Sequence, residues 1–168
     1  MDTLPLPASL RTRSARLARW TGVLLAILVL MLLTERFGAV GLSLLREGAD
    51  PSVRARLGAE AAAALPEGCC IGALWWIRAA LLELASGVFH TPILARALRR
   101  VGTLLALGAA LALFAVPSLQ RLAGADPGYL IAYDIGSIAL CVVGVTLAML
   151  AQVLERAGEV QSELDGMF

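Results

Sequence analysis

Four long apolar stretches, each cut off by Gly, Pro or charged residues, constrain this chain more than any other feature. They run from about Leu17 to Thr34, Cys69 to Phe89, Val101 to Leu119 and Tyr129 to Leu154. The hydrocarbon of a bilayer is about 30 Å thick, and a helix rising about 1.5 Å per residue needs about 20 apolar residues to cross it. In lipid each stretch must be helical, because no water is present to satisfy the backbone N–H and C=O groups. The breaks fall at Gly48, Asp50 and Pro51, at His90-Thr91-Pro92, and at Ala125-Asp126-Pro127-Gly128. Composition agrees with this reading. Hydrophobic residues make up 59% of the 168, charged ones 16%, and the mean hydropathy is +0.80. Soluble domains are about 45–50% apolar and about 25% charged. With 14 basic against 13 acidic residues, a nucleic-acid binder working by bulk basicity is excluded along with a soluble or disordered chain. The expected fold is an all-α integral membrane four-helix bundle.

The basic residues orient it. All are Arg, a codon bias of GC-rich bacterial genomes, which points to a bacterial inner membrane. With the N-terminus inside, the cytoplasmic side carries Arg11, Arg13, Arg16, Arg19, Arg96, Arg99, Arg100 and Arg156. The outside carries Arg36, Arg46, Arg54, Arg56 and Arg121. The excess is concentrated beside the first span and in the short second loop, where it counts most. Both termini are therefore expected in the cytoplasm. Residues 1–16 form a basic N-terminal segment, 17–154 the four-span domain, and 155–168 an acidic helical tail. Thr34-Glu35-Arg36-Phe37 after the first span is a poor approach to a signal cleavage site, and Ala39-Val40-Gly41 a weak one, so an uncleaved span is expected. In the first loop, Asp50-Pro51 has the form of an N-cap and first helical proline. It predicts a short external helix ending near Pro66.

Small residues recur at four-residue spacing: Ala18, Gly22 and Ala26; Gly102, Ala106 and Ala110; Ala132, Gly136, Gly144 and Ala148. Such ridges let helix backbones approach closely, either inside one bundle or at a dimer face.

Three charged residues lie within the predicted spans: Arg78, Glu83 and Asp134. An Arg at the centre of a span costs about 2.5–3.5 kcal/mol on the insertion scale. Arg78 is therefore expected to find a partner, with Asp134 better placed than Glu83 and Trp75 offering its ring face. The three could line a path for a proton, ion or anionic group, or fix helix order as a buried pair. Other chemistry has little support. One His and no Cys-x-x-Cys leave no zinc site, and nucleotide-binding and hydrolase fingerprints are absent. Adjacent Cys69 and Cys70 read as small residues at a helix start rather than a redox pair. No cofactor and no enzyme activity are expected.

Two stretches carry a family resemblance. One is Gly87-Val88-Phe89-His90-Thr91-Pro92 leading through Leu94-Ala95-Arg96-Ala97-Leu98-Arg99-Arg100 to Val101-Gly102. The other is the closing run from Ala151-Gln152-Val153-Leu154-Glu155-Arg156 to Glu163-Leu164-Asp165. Together they resemble the bacterial membrane family called domain of unknown function 2975, over roughly residues 69–168. The family's final hydrophobic pair stands here as Met167-Phe168, displaced by Gly166. The resemblance implies four spans and a gene often beside a small helix-turn-helix regulator, and it carries no catalytic residues.

Arg96, Arg99 and Arg100 share a face by their spacing of three and four, and Glu155, Glu159 and Glu163 lie on the same side in the tail. The expected role is a non-enzymatic accessory or regulatory subunit that binds a protein partner, or a second copy, through this loop and tail. The alternative is a small transporter or channel component using Arg78, Glu83 and Asp134.

Overall fold

The computed structural model describes residues 8–38, 41–42, 51–86, 91–122 and 134–165, all helical or at helix ends. Helix α1 (Ala8–Leu32) runs into a π-helical turn, Leu33–Phe37. It is followed by α2 (Pro51–Ala85) and α3 (Thr91–Ala110). A second π-helical turn, Leu111–Ala115, joins α3 to α4 (Val116–Leu122), and α5 (Ile135–Asp165) closes the chain. Four segments are long and apolar enough to cross a membrane: Thr12–Phe37, Arg56–Ala85, Leu94–Leu122 and Ile135–Gly158.

The distribution of side-chain size is that of a protein dissolved in lipid. The buried positions are mostly small, among them Ala18, Ala73, Ala95, Ala109 and Ala151, with Val53, Val101, Leu113 and Pro117 the larger exceptions. The large apolar side chains face outward, with Trp20 68%, Ile135 70% and Met149 62% exposed. Lipid tails are as apolar as Leu, so nothing drives large side chains inward, and close contact between small-residue faces holds the helices. The hydroxyls in the spans are satisfied locally. Thr21, Thr34, Ser118 and Thr146 each donate to the carbonyl four residues back.

Neighbouring helices are antiparallel. Arg78 of α2 meets Gly22 of α1, Leu104 of α3 meets Gly72 of α2, and Gly102 of α3 meets Gly144 of α5. One end of the bundle thus holds the start of α3 and the end of α5, and is called the tail side; the other is the far side. The packing order follows the chain: α1 on α2, α2 on α3, α3 on α5. Among the described residues α1 and α5 do not pack on one another, so the bundle is open along that side.

The α3–α5 contact is backbone against backbone. A Cβ added at Gly102 would lie 2.5 Å from the Gly144 carbonyl oxygen, and one at Gly144 would lie 2.6 Å from the Ala106 nitrogen. The ridges Gly102/Ala106 and Gly144/Ala148 therefore meet each other within the chain. In α1 only part of the ridge is used: Ala18 is buried and Gly22 lies under Arg78, whereas Ala26 is exposed.

The first loop departs from expectation. The helix does start at Pro51, but it does not end at Pro66; α2 continues for 35 residues with Pro66 inside it. At about 1.5 Å per residue this helix is about 50 Å long, well beyond the hydrocarbon thickness. Proline is tolerated inside a spanning helix where a neighbouring helix supports it. Here Gly108 of α3 provides that support, since a Cβ there would come within 3.1 Å of the Pro66 carbonyl oxygen and 2.8 Å of the Cys69 Cβ. Cys69 and Cys70 consequently lie within the helix, as free thiols. The proposed cap Asp50, the break at His90, and residues 129–133 of the fourth stretch lie outside the described residues.

Candidate functional site

The tail side gathers the loop arginines and the start of the tail. Thr91-Pro92 opens α3, and the next turns carry Arg96, Arg99 and Arg100. Arg99 Nη1 donates to Glu155 Oε2 at 3.4 Å, bridging α3 to α5. Arg100 takes a different partner: its guanidinium lies 3.9 Å from the centroid of the Trp76 ring on α2, a cation–π contact. Arg96 is exposed and in none of the ion pairs seen among the described residues. The three arginines are thus divided between two neighbouring helices and solvent rather than presented as one block. Arg99 and Glu155 are 50% and 29% exposed, so their pair contributes only about 0–1 kcal/mol. The side chains of Glu159 and Glu163 lie outside those described.

The three intramembrane candidates are not brought together. Arg78 sits about 10 Å, by helix rise, from the tail-side end of α2. Its guanidinium lies over the backbone of Gly22, where an added Cβ would be 2.9 Å from Nε, and stands 5.8 Å from the Trp75 ring centroid. Nε is buried without a hydrogen-bond partner, and Arg78 forms no ion pair among the described residues. Glu83 is exposed near the end of α2.

Asp134 lies at the start of the last helix rather than within the fourth span, where the sequence reading put it. It is the N-cap of α5. Its carboxylate accepts from the Gly136 N–H at 3.1 Å, the Ser137 N–H at 3.0 Å and the Ser137 hydroxyl at 2.6 Å. Its own carbonyl accepts the first helical hydrogen bond, from Ile138. The Ser137 hydroxyl, then the backbone N–H groups of Ser137 and Gly136, hold the carboxyl below its ordinary value. Pairing with Arg78 fails for a topological reason: α3 stands between α2 and α5.

Sequence reasoning missed two features on the far side. Arg36, in the first π-helical turn, bonds Glu67 Oε1 at 2.5 Å and Glu60 Oε2 at 3.4 Å. Glu60 and Glu67 are two turns apart on one face of α2, a spacing legible in advance had residues 51–85 been read as one helix. The second feature is a cleft of about 340 Å³ along the open side of the bundle. Leu28 and Glu35 of the first span form one wall, Ser137 and Leu140 of α5 the other, with α2 and α3 as the floor. No periodicity reports this cleft, because it arises where two nonadjacent helices fail to meet.

The comparisons with known proteins bear on the whole of this architecture. No curated protein and no solved structure is significantly similar to the chain. The family model described as "Protein of unknown function (DUF2975)" matches residues 19–166, which takes in all four spans and the tail rather than the second half alone. The chain belongs to the DUF2975 family.

Proposed function

We propose that the chain is a non-enzymatic, multi-pass protein of the bacterial inner membrane. In this reading both termini are cytoplasmic, and the protein acts as an accessory or regulatory subunit that binds a protein partner at its tail side. The observation that carries this reading is the Arg99–Glu155 bridge at 3.4 Å, which joins the basic start of α3 to the acidic end of α5 in one mixed-charge surface. A pair this exposed adds little stability, so its use lies in holding charges where a partner can meet them. Arg96, exposed beside it, is the readiest to exchange solvent for a partner carboxylate. The Arg excess on that side supports a cytoplasmic location for it. A transport role through Arg78, Glu83 and Asp134 has less support, because α3 stands between the helix that carries Arg78 and Glu83 and the one that Asp134 caps.

The test is purification from native membranes in mild detergent, comparing the wild type with the double variant Arg96→Glu/Arg99→Glu. The expected result is a stoichiometric partner retained by the wild type and lost from the variant, with unchanged elution of the chain itself. A chain that purifies alone and carries ion flux in vesicles would overturn the reading.

A further inference from the structure

We infer that the far-side cleft between α1 and α5 is a binding site for a lipophilic organic cation, a ligand with one positive centre and an apolar body. The cleft, of about 340 Å³, falls in the range of small-molecule sites. It is graded along its length. Glu35, Glu67 and Ser137 line the far-side end, while Leu28 and Leu74 line the part toward the bilayer centre, about 10 Å deeper by helix rise, with Leu140 between. Glu35 and Glu67 are the charged residues of the lining, and among the described residues no cationic side chain lines it. Glu67 is held by Arg36, whereas Glu35 enters no ion pair among the described residues. One carboxylate is therefore structural and the other open to a ligand, so the charge complementarity selects a cation.

The cleft is also built by irregular backbone. Glu35 lies in the first π-helical turn, Ala112 in the second, and Pro66 interrupts α2 at the same level; all three line the cleft. A π-helical turn widens the helix by one residue per turn and recurs at functional sites. Two such turns and an internal proline thus lie at the level where, among the described residues, α1 and α5 stand apart.

The site is remote from the tail-side surface, so either assignment can fail alone. The test uses the full chain purified in detergent. Binding of tetraphenylphosphonium is measured by equilibrium dialysis, with tetraphenylborate as an anion of matched shape. Saturable phosphonium binding is expected, at least about tenfold tighter than borate, a difference of about 1.4 kcal/mol. Glu35→Gln, isosteric and on an exposed residue, is expected to weaken phosphonium by about tenfold and leave borate unchanged. Ala112→Phe is expected to abolish binding of both by filling the cleft. Should that variant not fold, Glu35→Gln alone decides. Glu83→Gln, outside the cleft, is expected to change nothing. Borate binding as tight as phosphonium, an unaffected Glu35→Gln, or an equal loss in Glu83→Gln would overturn the inference. So would a co-purified phospholipid, seen by native mass spectrometry, that phosphonium does not displace.

Discussion

The two sides of α5 are opposite solutions to the same packing problem. Toward α3 it presents Gly144 and Ala148, and the helices close until a Cβ on either Gly102 or Gly144 would run into the other's backbone. Toward α1 it presents Ser137 and Leu140, and the helices stay apart around a cleft. Toward the bilayer centre both sides are apolar, so hydrophobicity does not decide which closes there. In lipid the deciding quantity is shape. Matched small residues let one pair of helices interlock, while the other pair stands apart at the level of two π-helical turns and an internal proline.

The sharpest way to break that contrast is to put a side chain into the closed side. Gly144→Leu is expected to destabilise the bundle by about 3 kcal/mol, because it meets backbone that cannot give way. Ala26→Leu, a larger residue on the exposed part of the α1 ridge, is expected to stay within about 0.5 kcal/mol. Denaturation of both variants in mixed micelles reads the difference, and equal losses would show that the α3–α5 contact is not the tight one.

Next in size is Arg78. Its buried Nε has no hydrogen-bond partner among the described residues, and its charge opposes insertion. Arg78→Met is expected to improve insertion of the isolated second span by about 2–3 kcal/mol in a translocon assay. Combined with Asp134→Asn in the full chain, it is expected to show no coupling, since the two sites lie on helices that do not touch. Coupling above about 0.5 kcal/mol would restore the pair that the packing order separates.

The tail side offers a smaller effect. A double-mutant cycle over Arg99→Ala and Glu155→Ala is expected to give a coupling of about 0–1 kcal/mol, shrinking with added salt. A larger, salt-independent value would mean that the pair stabilises the fold rather than a docking surface.

The most local effect is at Asp134, at the start of α5. Its carboxyl is lowered in the folded chain, so its capping contribution is fully present above the ordinary carboxylate range. It is lost as the pH falls through the lowered folded value. Asp134→Ala is expected to remove this pH dependence below about pH 4 and to fray the first turn of α5, read by amide exchange at Gly136 and Ser137.

The spans, their alternation and the small-residue ridges were legible in the sequence because apolar length and four-residue spacing are local properties. Gly102/Ala106 against Gly144/Ala148 is the clearest case: each ridge is visible alone, and only one face per helix can use it. Pro66 was misleading, because a proline that ends a helix in water is tolerated where Gly108 lets a neighbour pack against the same turn. Asp134 was misplaced by hydropathy, although Asp134-Ile135-Gly136-Ser137 has the spacing of a helix cap. The direction of Arg78 and the existence of the cleft were not legible. Both depend on which helices are neighbours, and with four spans that order is a tertiary property.

Photo-cross-linking in living cells tests the central claim, a partner docked at the tail side, most directly. A photoreactive residue is placed singly at positions 96 and 155 on that side, and at positions 20 and 149 on the lipid-facing surface. The account predicts one discrete protein adduct, shared by positions 96 and 155 and absent at 20 and 149. Adducts at 20 and 149 with none at 96 or 155 would contradict it.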